Sequence, residues 1–456
     1  MFRYILSLLS FFAVFLLSAG EVFLFQTTDL HGIMHNSGEN SGTPSVLAAI
    51  SEDADRIGRD KTILIDCGDL LQGSLESAED KGETMIRLLN AAKYDIWVPG
   101  NHDFEFGPKI FSKRIAEFKG TTLAANLKFP NIKSYKVIEK NGYKIAIIGI
   151  TNPHLGLWLF NHEEEGFHVL PAEISYRQLV PALRKIRADV IILAIHSGIY
   201  PSKRLDDPGL FSFARRHPEV QVILGGHTHE KIVCKELGKS KVCYFQAGAH
   251  GGGYLRIKLI FDDSKKRLKE VSGEYVPVAP CSNLPEKFRI QKKYHPVICR
   301  NFPVRLSEKK IAELFALAIH KGIPGIRGVF HGALTAFRPK KPILNRIHLF
   351  QLCPFENKVV IGYITKAEFD AIIKEQKDSE KAGMRQYSWC HPETLEIWKN
   401  NPEKRLPFAF NSYVASSAGG RFPVLKNILT HQDVKAFITE KRIFDLLENY
   451  VKEVYK

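Results

Sequence analysis

Five short clusters of carboxylate, amide and imidazole side chains stand out in the 456-residue chain. They are Asp29-Leu30-His31, Asp66-Cys67-Gly68-Asp69, Gly100-Asn101-His102-Asp103, His196, and Gly225-Gly226-His227-Thr228-His229. Two divalent cations about 3.5–4 Å apart require a bridging carboxylate and several further N and O donors. This set is sufficient. Asp69 is the natural bridge, Asp29, His31 and His229 can complete one site, and Asn101, His196 and His227 the other. Carboxylate, amide oxygen and imidazole together suit Zn, Mn, Fe or Co, and the lack of a thiolate argues against a closed structural zinc. Taken singly, each cluster has an ordinary reading. Asp-x-His is commonly a surface turn, Gly-His-x-His a hydrogen-bonded structural pair, and Asn-His-Asp after glycine a helix N-cap. His31 and His229 could also stand just outside the metal shell. All five in this order point to a metal-dependent hydrolytic centre.

Such a centre needs rigid elements to hold it. Apolar runs at Val22–Thr27, Thr62–Asp66, Ile96–Pro99, Thr121–Asn126, Lys144–Ile150, Val190–Ile195, Gln221–Leu224 and Val242–Gln246 read as strands, and each ligand cluster follows one of them. Helical periodicity marks Glu83–Ala92 and Leu179–Arg187. Buried strands alternating with helices predict a layered α/β domain, in which ligands gather outside the strand ends. Prolines 277, 280, 285, 296 and 303 break the pattern and mark an interdomain connection. A second α/β segment follows, with helices at Glu308–His320 and Lys366–Glu375, strands at Val359–Ile364 and Pro407–Val414, and a C-terminal helix from about Asp433. The expected division is a leader over 1–20, a catalytic domain over 21–280, a linker over 281–303 and a smaller substrate-binding domain over 304–456.

The leader reading rests on Arg3, the apolar Tyr4–Leu17 and the small residues Ser18-Ala19-Gly20, an export signal too short to be comfortable as a membrane span. Export to the periplasm or medium is expected, with no membrane anchor. Seven cysteines leave at least one thiol unpaired. Cys67 fits a buried thiol, and a hairpin over Gly238-Lys239-Ser240 could set Cys234 against Cys243 as a disulfide. The composition is globular, 45 % hydrophobic and 25 % charged, which excludes disordered, collagen-like and coiled-coil classes. The net charge of +15 favours an anionic partner. Residues 281–456 carry 30 Lys and Arg against 17 Asp and Glu, so nearly all of the excess lies in the second part. No nucleic-acid module or basic helix accompanies it, and a small phosphorylated substrate is the expected partner.

Asp29-x-His31, Gly68-Asp69-x-x-Gln72-Gly73, Gly100-Asn101-His102-Asp103-Phe104-Glu105 and Gly226-His227-x-His229 resemble the signature of the calcineurin-like metallophosphoesterases. More closely they resemble the exported 5′-nucleotidase family, with its UDP-sugar hydrolases and 2′,3′-cyclic-nucleotide phosphodiesterases. The likeness covers residues 22–260 well and the rest loosely. It implies a β-sandwich metallophosphoesterase domain flanked by helices, with a second, smaller α/β domain. It also implies that Asp29, His31, Asp69 and His229 hold one ion, that Asp69, Asn101, His196 and His227 hold another, and that a bridging hydroxide attacks phosphorus. By the same likeness His102 contacts the transferred phosphoryl group and is oriented by Glu105, where Asp is usual; Asp103 reads as structural.

In the second part, Pro354-Phe355-Glu356-Asn357 resembles a family segment whose ring stacks on the nucleobase, and Asn411-Ser412-Tyr413 the segment that supplies the opposite face. Such stacking contributes about 1–3 kcal/mol per base. Ordinary core packing is the alternative for both rings. Two departures stand out. His331-Gly332-Ala333-Leu334-Thr335-Ala336 occupies the place of the family's Asn-x-Gly-Gly-Ile-Arg, so Arg305 or Arg338 is expected to supply the missing cation, and Arg421 replaces an Asp. The expected function is 5′-nucleotidase-type hydrolysis of nucleotides or nucleotide sugars. The alternatives on the same scaffold are a cyclic phosphodiesterase, a sugar phosphatase or a thiosulfohydrolase-like enzyme. The intact ligand set argues against a non-catalytic binding protein.

Overall fold

The computed structural model describes residues 20–455 except 36–40, 161, 201–203, 291–294, 382–385 and 431–435; the expected leader, apart from Gly20, lies outside the described residues. The strand Glu21–Thr27, rich in apolar side chains, runs parallel to Thr62–Asp66, which is followed across the sheet by Ile96–Trp97 and Thr121–Thr122. On its other edge Glu21–Thr27 pairs with the antiparallel hairpin Gly253–Asp262/Arg267–Pro277, giving six strands. A second six-stranded sheet has the order Tyr135–Lys140, Tyr143–Ile150, Val190–Ile195, Val222–Leu224, Cys243–Ala247, Lys231–Glu236. The sheets face each other across Leu24, Ile65, Ile147, Ile192, Phe245 and Ile257, all fully buried. Helices Thr43–Ile57, Glu83–Ala92 and Gly107–Glu117 cover the outside of the first sheet. Helices Ala172–Ile186 and Leu210–Arg216 cover the second. This is the layered α/β arrangement that the strand pattern predicts, and the sandwich flanked by helices that the family likeness implies.

The C-terminal part is built on a five-stranded sheet in the order Gln386–Cys390, Gly328–Gly332, Leu406–Asn411, Lys358–Ile364, Phe437–Arg442. Neighbouring residues of a strand point to opposite faces. Val329, Val359 and Ala409 accordingly pack on helices Glu308–Gly322 and Ile443–Val454. Phe330, Val360 and Phe408 pack on Lys366–Lys381, Pro392–Asn400 and Pro423–Leu429.

Several elements differ from the sequence reading. Ile96–Trp97 and Thr121–Thr122 are only two residues long. The strand expected over Pro407–Val414 stops at Asn411, whose side-chain oxygen accepts the Tyr413 N–H at 2.8 Å and caps the short helix Ser412–Ala415. The C-terminal helix starts at Ile443, after the strand Phe437–Arg442; Asp433 lies outside the described residues. The proline-rich connection does not hang free. Phe288 is buried in the helical layer of the first part with Val278 and Leu284 beside it, and Val297–Cys299 then pairs with Leu344–Asn345.

The two parts also touch directly. Leu75 and Ala78 are buried in the C-terminal core, Gln72 Nε2 donates to the Pro354 carbonyl at 2.5 Å, and Arg346 pairs with Glu79 at 2.5 Å. Cys67 is a buried thiol. The Lys231–Glu236/Cys243–Ala247 hairpin sets Cys234 against Cys243, with the sulfurs 2.7 Å apart.

Candidate active site

Five strand ends of the two facing sheets converge on Asp69, which is buried. The carboxylates come first. Asp29 follows Glu21–Thr27, and its two oxygens accept the Thr28 hydroxyl at 2.6 Å and the His227 N–H at 2.9–3.0 Å. Asp69 follows Thr62–Asp66 and accepts the His102 N–H at 2.8 Å. Asp103 is structural, as expected: its oxygens accept backbone N–H bonds from Asp69, Leu70, Leu71 and Gly100 at 2.7–3.0 Å, locking two ligand loops together. A Cβ on Gly100 would overlap the Asp69 carboxylate, and one on Gly68 would stand 2.7 Å from His196 Nδ1, so both turns require glycine. Asp29, His31, Asp69, His227 and His229 all take left-handed φ values of 48–74°. Non-glycine residues hold this conformation only where the surroundings enforce it, at a cost on the order of 1–3 kcal/mol each.

The imidazoles are held so that their lone pairs face inward. His31 Nδ1–H donates to the Gln72 carbonyl at 3.2 Å and His196 Nδ1–H to the Cys67 carbonyl at 2.7 Å, which leaves Nε2 of each ring for the site. His31 Nε2 stands 3.1 Å from His229 Nε2, and His196 Nε2, though 3.1 Å from Asp69, makes no hydrogen bond. Burial keeps His31 well below the usual imidazole range and takes His229 down to about 4. Burial works against charge on His196 as well, but Asp69 overrides it and carries that ring up to about 10. Asp69 thus demands a positive charge beside it, while two neutral nitrogens face each other nearby. This donor set fits divalent ions. His31, Asp29 and Asp69 gather in one group, and Asp69, His196 and His227 in another. Asn101 stands beside Asp69 on the neighbouring loop, and its Oδ1 accepts from Asn152 Nδ2 at 3.2 Å.

His102 Nδ1 meets Glu105 Oε1 at 2.6 Å. Burial alone would lower the His102 pKa, yet Glu105 and Asp69 raise it to about 9. Glu105 Oε2 accepts the Glu356 N–H at 3.3 Å, so the pair is tied to the C-terminal part. Phe355 stacks on His102 at 5.9 Å and 25°.

The site opens into a cleft of about 600 Å³ between the two parts, with Asp69, His102 and His229 on one wall and Leu334, Phe355 and Tyr413 on the other. Phe355 and Tyr413 therefore both reach the cleft. They are not stacked on each other: Tyr413 lies against Trp158 at 6.0 Å and 26°, and Trp158 meets His227 edge-on at 4.5 Å. Arg305 and Arg338 do not line this cleft. They border a separate pocket of about 510 Å³ with Lys340. Arg338 spends its guanidinium on the Thr335 and Phe337 carbonyls at 2.7–2.8 Å.

Two cleft residues, Trp158 and His250, and the buried Asn152 that donates to Asn101 escaped the sequence reading. Trp158 and Asn152 lie just past the strand Tyr143–Ile150, and His250 just past Cys243–Ala247. A strand-end rule applied to every predicted strand would have flagged Asn152, two residues past Ile150.

Residues 24–231 match the calcineurin-like phosphoesterase family. The chain is 30 % identical over 183 residues to protein UshA of Yersinia enterocolitica, covering 37 % of this chain and 33 % of that protein. It is 26 % identical over 310 residues to human 5′-nucleotidase, covering 59 % and 51 %. The chain spans only 16–51 % of the length of the curated relatives it matches. The crystal structure of a 5′-nucleotidase precursor from Thermus thermophilus superposes with a TM-score of 0.67 at 19 % identity, over 95 % of this chain and 97 % of that one, and shares the fold. The convergent strand-end loops, the sandwich that carries them and the sequence comparison agree: residues 24–231 match a calcineurin-like phosphoesterase domain.

Proposed function

We propose that the protein is a metal-dependent phosphoester hydrolase of the 5′-nucleotidase type, releasing phosphate from nucleotides or nucleotide sugars. The convergence of five strand-end loops on Asp69, with the His102–Glu105 pair at the mouth of the cleft, carries this reading. Asp29, His31, Asp69 and His229 would hold one divalent ion, and Asp69, Asn101, His196 and His227 a second. When bound, such a pair supplies an activated water and offsets charge developing at phosphorus. The remaining steps belong to the chain. Glu105 fixes the His102 ring through Nδ1 and leaves Nε2 facing the cleft. His102 holds a proton at Nε2 and delivers it to the leaving oxygen. The cleft walls bind the organic part of the ester, with Phe355 and Tyr413 offering ring faces. Export is part of the proposal, supported by the apolar run Tyr4–Leu17 ahead of Ser18-Ala19-Gly20.

The stack of Trp158 on Tyr413 favours a second reading, in which the ring slot is shortened and a smaller ester such as a sugar phosphate is taken. One panel decides both. The full chain is stripped with EDTA, reloaded with Mn²⁺ or Zn²⁺, and assayed for phosphate release from AMP, UMP and sugar phosphates and, by the nucleotide product formed, for hydrolysis of 2′,3′-cyclic AMP and UDP-glucose. Metal-restored hydrolysis of nucleotides is expected; hydrolysis of sugar phosphates alone would select the second reading, and no hydrolysis of any substrate with any metal would overturn the enzyme.

A further inference from the structure

We propose that His250 is an additional imidazole ligand in the Asp29/His31/His229 half of the site, making that half selective for late transition ions such as Zn²⁺ or Co²⁺. The inference rests on the dimetal reading above and adds a donor that neither the cluster pattern nor the family likeness assigns. His250 lies in the turn after the strand Cys243–Ala247, and its ring lines the cleft. Ligand nitrogens of His31, His229 and His250 all lie within 4.8 Å of one another. The His250 ring is 5.4 Å from His31 and 5.0 Å from His229, edge-on to the latter at 81°. No hydrogen bond to the His250 ring is found among the described residues.

The backbone holds the ring there. The His250 N–H donates to the Asp29 carbonyl at 2.8 Å, so the turn is tied to the ligand loop itself. The Gly251 carbonyl accepts from Ser41 at 3.1 Å and the Gly252 carbonyl from Val278 at 3.2 Å, pinning the turn on its other side. His250 also takes a left-handed φ of 58°, as five of the proposed ligands do. A residue free to be Gly or Asn in that conformation is instead an imidazole aimed at two others.

The consequence is chemical. With Asp29 and Asp69, three imidazoles make a nitrogen-rich donor set, which suits Zn²⁺ or Co²⁺ and is poor for Mg²⁺ or Mn²⁺. The Asp69/Asn101/His196/His227 half has two imidazoles and two oxygen donors. The two halves therefore differ in ion preference, and the difference comes from His250.

The test is metal binding by the full chain, read without substrate. Apo protein is titrated with Zn²⁺ and with Co²⁺ against a chelator, and Co²⁺ absorption is recorded. The variants are His250→Gly and His250→Asn, both suited to a left-handed backbone. Wild type should bind two equivalents. Each variant should lose roughly tenfold or more in Zn²⁺ affinity at one equivalent only, with altered Co²⁺ absorption and a narrowed Zn²⁺-over-Mn²⁺ preference. Two equivalents bound unchanged by both variants would overturn the His250 assignment alone. Recovery of both wild-type Zn²⁺ affinity and wild-type Co²⁺ absorption in His250→Asn would also overturn it, since an amide oxygen cannot reproduce a third imidazole. Failure of wild type to bind two equivalents would overturn the dimetal reading together with this one.

Discussion

Removing the charge of Glu105 while keeping its shape isolates what the carboxylate does for His102. In Glu105→Gln the side chain can still accept from Nδ1 at the 2.6 Å position, but the bond is no longer charge-assisted. Hydrogen bonds to charged groups contribute about 1.5–3 kcal/mol and neutral ones about 0.5–1.5, so the substitution removes about 1–1.5 kcal/mol of support for the imidazolium. At 1.36 kcal/mol per factor of ten, kcat should fall roughly tenfold, and in Glu105→Ala, where the whole bond is lost, up to roughly a hundredfold. The loss should depend on the leaving group. A nucleoside alkoxide needs the His102 proton, whereas p-nitrophenolate departs without one. Paired assays on AMP and p-nitrophenyl phosphate at saturating metal would show a large fall in kcat on the first and a small one on the second. Equal losses on both substrates, or a rise in KM with kcat intact, would refute the proton-delivery role. Glu105→Asp keeps the charge but shortens the reach, and should fall between wild type and Gln.

Three other perturbations have defined outcomes. Asp103→Asn leaves backbone N–H groups facing an amide, and should cost roughly 1–3 kcal/mol in urea unfolding together with weaker metal retention; an unchanged unfolding midpoint would remove its structural role. His331 is buried, with Nδ1–H on the Gly332 carbonyl at 2.7 Å and Nε2 accepting from Asn411 at 3.3 Å, and burial lowers it from 6.5 to about 4. Its unfolded form takes up the proton first, so its contribution is complete above pH 6.5 and is lost as pH falls towards 4, by roughly 3 kcal/mol at the low end. Urea midpoints measured from pH 7 to pH 4 should therefore fall less in His331→Gln than in wild type, and parallel curves would refute this. Tyr413→Ala should raise KM for nucleotides roughly tenfold while leaving p-nitrophenyl phosphate nearly unaffected; equal effects on both substrates would remove the stacking role.

The proposed ligands were legible because each directly follows a strong apolar strand, most of them within a contiguous cluster. Asp69, Asn101 and His227 come together because parallel strands of both facing sheets end on the same rim, a rule of topology that needs no knowledge of distant contacts. His250 was missed for the opposite reason: it stands alone in a glycine-rich turn, and only the Asp29 carbonyl, 221 positions away in sequence, shows what that turn is fixed to. The hairpin Gly253–Asp262/Arg267–Pro277 was not read because its outer strand, Arg267–Pro277, has no buried residue. Pro407–Val414 was read as one strand because its apolar run continues past Asn411, while the cap that ends it is a side-chain bond. Arg305 and Arg338 are near the missing cation's position in sequence only, and the fold places both at another pocket.

The left-handed backbones at the proposed ligands have a consequence for the life of the protein outside catalysis. Five such residues at about 1–3 kcal/mol each represent a strain comparable to the whole stability of a typical domain. Whatever binds the folded state and not the unfolded one raises stability in proportion to the logarithm of its concentration. Ions taken up by these loops would therefore act as part of the folding reaction. The surrounding supply of divalent metal would then set how much folded protein persists, so scarcity would deplete the protein itself as well as idle its active site.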